Sequence, residues 1–315
     1  MMEFHNVTIV GAGTMGHSLA QIFAQHGCSV WLTDIRDEAL AQARKRIAAN
    51  LQTLIETGLL DEGDQPQTLR RIQTTTRIED ALSQADLVIE AISEDEKAKK
   101  ELFQTLDAIC PPKTILASNT SYLNIFEFIE TRRPDKILIT HWFAPPHIVP
   151  LVEIVRGPET SQETVDRVGA LLIDAGKTPL VISKFLPGFI ANRLQSALTH
   201  EVLHLIDHGY ATPEDIDTAT KAGFGLRIPI LGLLKRMDYA GLDLVQKIVS
   251  NAKYVPPAPR IRSKTVDQLV SQGKLGIKTG SGYYEYGNRS TEELMKERDM
   301  KLIRLREFLE KMGEL

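Results

Sequence analysis

The run Gly11-Ala12-Gly13-Thr14-Met15-Gly16 constrains this chain more than any other feature. It joins a β-type segment, Val7–Val10, directly to a helical pattern that begins at Thr14. The three glycines have separate physical uses. Gly11 permits a tight turn, Gly13 lets a ligand approach the backbone, and Gly16 lets the helix pack closely on the strand. The N–H groups at the helix start, and its positive end, then face any phosphate lying on the turn. Thr14 and Met15 complete that predicted set. Asp34 ends a second β-run, Ser29–Thr33, about 20 residues after the glycines. A carboxylate there accepts hydrogen bonds from ribose hydroxyls and repels a 2′-phosphate, which predicts NAD rather than NADP. The competing reading of Asp34 is a helix N-cap, and Arg36 beside it reads as an N-cap or surface residue.

Strand and helix patterns alternate from Asn6 to Val155. The spacing predicts strands at Ser29–Thr33, Asp86–Glu90, Thr114–Ala117, Ile137–Thr140 and Val152–Val155. Helices are expected at Thr14–His26, Asp37–Glu56 and Asp95–Ile109. In Asp37–Glu56 the apolar positions Leu40, Ala43, Ile47, Leu51 and Leu54 follow a helical period. This alternation predicts an α/β domain, a doubly wound, Rossmann-type parallel sheet. Near Lys184-Phe185-Leu186-Pro187-Gly188 the strand signals stop. The expected division is therefore residues 1–184 as the dinucleotide-binding domain and 185–315 as an all-α substrate and dimerisation domain. Phe189–His208 reads as one long helix, apolar around much of its circumference and hence buried, against other helices or across a dimer interface. Further helices are expected at Pro213–Ala222, Gly241–Asn251, Ser263–Gln272 and Thr291–Lys311, with Val255–Pro259 a stiff connector.

At 315 residues two domains are the natural expectation. The formal charge of −4 gives no electrostatic reason to expect nucleic acid or an anionic membrane as partner. No apolar run reaches the ~20 residues needed to span a bilayer, and the N-terminal residues lack a signal-peptide pattern, so cytoplasm is the expected compartment. Cys28 and Cys110 show no metal-type spacing and read as reduced thiols; no metal is expected.

Polar residues cluster among apolar ones where the dinucleotide domain ends. Ser118-Asn119-Thr120-Ser121 follows one strand, and His141-Trp142-Phe143-Ala144-Pro145-Pro146 follows another. Glu153 lies inside the apolar strand Leu151–Val155, and Asn192 follows Pro187-Gly188-Phe189. Separately each has a plain structural alternative. Together they suit alcohol oxidation, which needs a base to take the hydroxyl proton as hydride leaves the carbon. His141 is that candidate base and Glu153 the acid that orients it. Ser121 and Asn192 are candidate donors to the reacting oxygen.

In order and spacing these segments resemble the 3-hydroxyacyl-CoA dehydrogenase family. The resemblance extends to Asp238–Asp243 and to Gly276–Tyr284, and so covers residues 6 to 286. It implies that His141 is the general base, Glu153 its charge partner, and Ser121 and Asn192 the substrate contacts. It also implies that Glu94, Lys99 and Lys278 lie near the NAD. A homodimer through the helical domain, and a place in fatty acid metabolism, follow from the same resemblance. The leading expectation is NAD-dependent oxidation of a short-chain 3-hydroxyacyl-CoA, such as 3-hydroxybutyryl-CoA.

Three departures from the family bear on the substrate. Leu54–Glu62, where CoA-using members carry lysines, holds no cation but three carboxylates. The usual His-Phe-Phe-Asn-Pro becomes His141-Trp142-Phe143-Ala144-Pro145, and the usual Gly-Pro-Phe-Glu becomes Gly232-Leu233-Leu234-Lys235. The alternative expectation is therefore the same chemistry on a small hydroxy acid or carboxylate-bearing alcohol without CoA, a substrate class some relatives use. Arg227 and Lys235 would then be candidates to hold a carboxylate, and His147 a pocket or a capped loop residue. A non-catalytic NAD-binding structural protein is the reading from another class; the presence of His141, Glu153 and Asn192 speaks against it.

Overall fold

The computed structural model describes residues 4–251, 253, 255, 257, 258 and 262–315. The chain forms two compact units, Met1–Asn192 and Arg193–Leu315.

Eight strands make the sheet of the first unit: β1 Asn6–Val10, β2 Ser29–Thr33, β3 Ile72–Thr75, β4 Leu87–Glu90, β5 Ile115–Ser118, β6 Ile137–Trp142, β7 Leu151–Arg156 and β8 Thr178–Ile182. Their spatial order is β3-β2-β1-β4-β5-β6-β7-β8. The order reverses between β1 and β4, and an open α/β sheet binds its ligand in the crevice outside the carboxyl ends of the strands at such a point. The helices of this unit are α1 Gly16–Gln25, α2 Asp37–Glu56, α3 Asp64–Arg70, α4 Ile78–Leu82, α5 Glu96–Ile109, α6 Ile125–Phe128 and α7 Gln162–Asp174. Strands β3 and β8 and helices α3 and α7 have no counterpart in the sequence-based reading. β3, β8 and α3 are short runs that periodicity does not reveal, whereas α7 carries a helical period, Val165, Val168, Leu171 and Leu172, that the expected elements leave out.

One pair corrects the expectation of a parallel sheet. β6 and β7 run antiparallel, with His141 directly opposite Glu153. The connection between them is a short loop, Phe143–Pro150, far too short for the crossover that a parallel pair requires.

The core of the first unit is closed by its own residues. Val10, Val88, Phe103, Leu106, Leu116, Ile139, Val155 and Phe189 are buried in one cluster, with Phe185 packed against it. Phe185 and Phe189 thus belong to the first unit. The compact units accordingly divide after Asn192, eight residues beyond the expected division. Cys28 and Cys110 are buried and unbridged, and burial pushes both thiols up to about 11.

The second unit contains most of α8 Ala191–Asp207, then α9 Pro213–Thr218, a π-helical turn at Ala219–Gly225, α10 Leu226–Leu231, α11 Leu234–Ala240, α12 Leu242–Ser250, α13 Lys264–Ser271 and α14 Thr291–Met312. The expected helix Pro213–Ala222 is α9 continued by the start of the π-helical turn, and it ends at the kink where Gly223 leaves helical geometry. Helix α14 begins at a capping box, in which Ser290 and Glu293 satisfy each other's backbone N–H groups, and ends at Gly313 with positive φ. The expectation that Phe189–His208 is a buried helix is not met within the single chain. Helix α8 has no buried residue, and Leu194 and Leu198 are about half exposed. The Val255–Pro259 connector falls partly outside the described residues.

Candidate active site

The glycine turn is built as its spacing requires. Gly11 has φ +104°, and a Cβ there would lie 2.6 Å from the Ala91 carbonyl oxygen. A Cβ on Gly16 would lie 1.7 Å from the Gly11 oxygen, so no larger residue fits. Gly13 is the opposite case: a Cβ there meets nothing within 4 Å. The space above Gly13 is therefore open for a ligand to reach the backbone. Asp34 is held beside the turn, its Oδ2 accepting from Ala12 N at 2.8 Å and its Oδ1 from Arg36 N at 3.1 Å. It does not cap α2; the N-cap there is Arg36, without a side-chain bond. An exposed loop backbone at a helix start and an adjacent fixed carboxylate fit the pyrophosphate and the adenosine ribose of NAD.

The second cluster lies at the ends of β6 and β7. Their antiparallel register brings the two side chains together, with His141 Nδ1 2.8 Å from Glu153 Oε2. Both are buried. The other carboxylate oxygen, Oε1, accepts from the Ile190 and Ala191 N–H groups, each at 2.9 Å. These donors face Glu153 because Gly188 and Phe189 both take positive φ, +76° and +49°, turning the chain just before α8. A phenylalanine in that conformation is uncommon and strained, and burial of its ring in the core holds it there. Burial opposes the charge of Glu153. The bonds from His141, Ala191 and Ile190 outweigh it and hold the carboxyl below its ordinary value.

A carboxylate can only accept, so His141 Nδ1 carries the hydrogen and Nε2 is left with a lone pair. Nε2 faces the Asn192 amide nitrogen at 3.4 Å. Phe143 and Phe189 flank the ring, with centroids 4.5 and 5.1 Å away. The arrangement is an imidazole oriented by an acid and flanked by two aromatic rings, with its second nitrogen next to an amide donor. It is able to take a proton from a hydroxyl group.

Ser121 is held by a different acid. Glu94 Oε1 accepts from Thr120 Oγ1 at 2.5 Å, Ser121 N at 2.8 Å and Tyr122 N at 3.0 Å. Lys99 is almost fully buried, with its ammonium 2.6 Å from Glu90 Oε1 and 3.4 Å from Glu94 Oε2. Sequence reasoning named Glu94 and Lys99 but missed Glu90, because a single acid at the end of an apolar strand carries no signal of its own. Asn119 Oδ1 accepts from Trp142 N at 3.1 Å, which ties this loop to the residue after His141. His147 is a bonded loop residue: its Nδ1 lies 3.2 Å from Ser18 Oγ, which is also 3.2 Å from His17 Nε2. Lys278 lies in the second unit, exposed, on a small loop bridged between Gly276 and Ser281. Arg227 and Lys235 are exposed there too. Among the described residues no group of histidines, cysteines and acids could hold a metal ion, and no helix is long and apolar enough to cross a membrane.

A doubly wound sheet with this turn and acid fits a dinucleotide-binding protein, and the His141–Glu153 pair adds a base suited to an alcohol. The family follows from sequence models. Residues 6–185 match the 3-hydroxyacyl-CoA dehydrogenase NAD binding domain and residues 188–286 match the C-terminal domain of the same enzymes, so the chain belongs to the 3-hydroxyacyl-CoA dehydrogenase family. Among curated relatives it is 38% identical to a probable 3-hydroxybutyryl-CoA dehydrogenase of Bacillus subtilis, over 92% of this chain and 100% of the other. It is 34% identical to the 5-formyl-3-hydroxy-2-methylpyridine 4-carboxylate 5-dehydrogenase of Mesorhizobium japonicum, over 97% and 98%. A solved structure of an enzyme of that second activity superposes with a TM-score of 0.84, at 33% identity, covering 98% of this chain and 99% of that one. The (S)-3-hydroxybutyryl-CoA dehydrogenase of Ralstonia eutropha superposes with a TM-score of 0.71, at 33% identity, over 91% and 100%.

Proposed function

We propose that the protein oxidises the hydroxyl of a short-chain 3-hydroxyacyl compound, with His141 as the base. The observation that carries this reading is the His141–Glu153 pair, its acid satisfied on both oxygens and its free nitrogen beside Asn192. NAD, when bound, supplies the acceptor for the hydride that leaves the carbinol carbon. His141 Nε2 takes the hydroxyl proton, and Glu153 stabilises the imidazolium that results. Asn192 and Ser121 donate to the oxygen as it becomes a carbonyl. Gly11, Gly13, Thr14, Met15 and Gly16 hold the pyrophosphate, and Asp34 the ribose. Glu94 and Lys99 would complete the cofactor's surroundings.

The family description supports a CoA thioester as the form of the substrate, 3-hydroxybutyryl-CoA being the simplest. A second reading has a specific observation in its favour. The segment Leu54–Glu62 closes α2 with Glu56, Asp61 and Glu62 and no cation, and carboxylates repel a nucleotide phosphate. The pyridine carboxylate enzyme also matches nearly this whole chain, through α14, whereas the family model ends at residue 286. On that reading the substrate is a small carboxylate-bearing alcohol. One assay panel decides: NADH oxidation with acetoacetyl-CoA, against NAD reduction with free hydroxy acids. Activity on acetoacetyl-CoA supports the first. A blank there with a responding hydroxy acid establishes the second, and a blank throughout ends both.

The active form is a homodimer built on the second unit. No described residue from 190 to 262 is buried in the single chain. Leu194, Ala197, Leu198, Phe224, Ile228 and Leu233 line an open apolar cavity of about 680 Å³. Apolar surface on that scale marks a face that another surface covers.

A further inference from the structure

The buried acid Glu90 takes no part in the reaction just described, yet it stands at the point where the sheet order reverses. It closes β4, and its register partners are Val10 on β1 and Ser118 on β5. Its side chain is fully buried. Oε1 accepts from Lys99 Nζ at 2.6 Å and Ile92 N at 2.8 Å, and Oε2 accepts the Ser118 hydroxyl at 2.6 Å. Ser118, having given its hydrogen to Glu90, has only lone pairs left, and with one of them it accepts Thr120 N at 3.2 Å. Lys99 carries the second connection, to Glu94, which grips the N–H groups of Ser121 and Tyr122 and the hydroxyl of Thr120.

Two routes therefore run from one carboxylate to one turn. Two acids and a single ammonium lie against strand ends, where an apolar trio would be cheaper to bury if stability were the only requirement. We propose that Glu90 is the positioning residue of this site. By holding Lys99 away from Glu94 and Ser118 toward Thr120, it sets the Thr120–Tyr122 turn and thereby the Ser121 donor. Asp34 marks the adenosine side at the end of β2, so the β4–β5 side lies toward the nicotinamide. Glu90 accordingly acts at the nicotinamide end and leaves the adenosine end alone. The inference rests on the assignment of Ser121 above.

Glu90→Gln keeps the shape and removes the charge. Lys99 then moves wholly onto Glu94 and pulls it from the turn. The expected result is a kcat lower on the order of tenfold to a hundredfold, the scale of a small misplacement of reacting groups. The substrate is acetoacetyl-CoA or whichever hydroxy acid the panel identifies. NADH affinity, read by fluorescence, weakens severalfold, while affinity for ADP-ribose, which lacks the nicotinamide, is unchanged. Equal losses for NADH and ADP-ribose, or an undiminished kcat, overturn the proposal. If Glu90→Gln does not fold, Ser118→Ala carries the test, with a smaller loss of the same sign expected and an undiminished kcat overturning it. The two ligand affinities are measured without substrate. An active His141→Ala enzyme alongside the NADH and ADP-ribose contrast would therefore remove the proposed base and leave this inference standing.

Discussion

The two units of this chain solve the same problem in opposite ways. In the first, Val7, Ile9, Leu19, Phe23, Ile47 and Phe103 are essentially inaccessible, packed between the central strands and their helices. In the second, Leu226, Leu234, Leu242 and Val249, on α10, α11 and α12, are each more than 60% exposed, although the backbone there is helical. A helix needs only its own backbone hydrogen bonds to form, whereas its apolar face needs a partner. The first unit finds that partner largely within itself, whereas in the second, within the single chain, the described apolar faces stay open. The difference also separates the chemistry. The buried ion pairs and the dyad lie in the closed unit, where a low dielectric strengthens them and fixed neighbours hold their geometry.

That division is broken most directly at the dyad. His141→Ala is expected to lower kcat on the order of a thousandfold, with NADH affinity measured by fluorescence almost unchanged. A variant that keeps its turnover would place the base elsewhere. Next in size is a contrast in packing. Phe103→Ala opens a hole in the closed core and should cost about 3–5 kcal/mol in urea unfolding. Leu242→Ala in the second unit should cost less than about 1 kcal/mol, since that side chain is largely exposed in the chain. Equal losses would mean that the two units are covered alike. Association gives a third test. Leu194→Glu with Leu198→Glu places charges on the uncovered face, and light scattering should find a dimer in the parent and a monomer in the variant. A monomeric parent at micromolar concentration would remove the need for a second chain.

The smallest effect is one of pH. Glu153 and Glu94 both have carboxyls held below the ordinary value of 4.5. For Glu94, burial works against the shift, and the Thr120 hydroxyl, Lys99 and two N–H groups prevail. Groups depressed in the folded state bind protons more readily when unfolded. Their contribution is complete above 4.5 and is lost as pH falls through the folded values. These two acids should therefore add no slope to the urea unfolding midpoint above pH 5 and a decline below 4.5. Glu153→Gln should flatten that decline, and an unaltered slope would show that the acid titrates alike in both states.

The elements that came through from the sequence are those with strong local causes. Ser29–Thr33 and Asp37–Glu56 have the limits expected of them, because a β-run bounded by turn residues and a long helical period are local patterns. The short strands Ile72–Thr75 and Thr178–Ile182 had no such pattern and owe their form to the neighbouring strands that they extend. The start of α8 is similar. The apolar pattern reaches back to Phe189, but that residue has positive φ and the helix begins at Ala191, because Glu153 draws the two intervening N–H groups to itself.

By itself the sequence determined the glycine turn and the acid that follows it, since both depend on what a backbone or a single side chain permits. It also supplied His141, Glu153, Ser121 and Asn192 as residues suited to one reaction. Only the tertiary structure decided that β6 and β7 run antiparallel, so that two residues twelve apart meet at 2.8 Å. It likewise decided that Glu90 stands beneath the turn bearing Ser121, with Lys99 divided between two acids. The reason is physical. Local conformation follows from neighbours along the chain, but a charge is held, oriented or dried by neighbours in space, and those are fixed only when the sheet has closed.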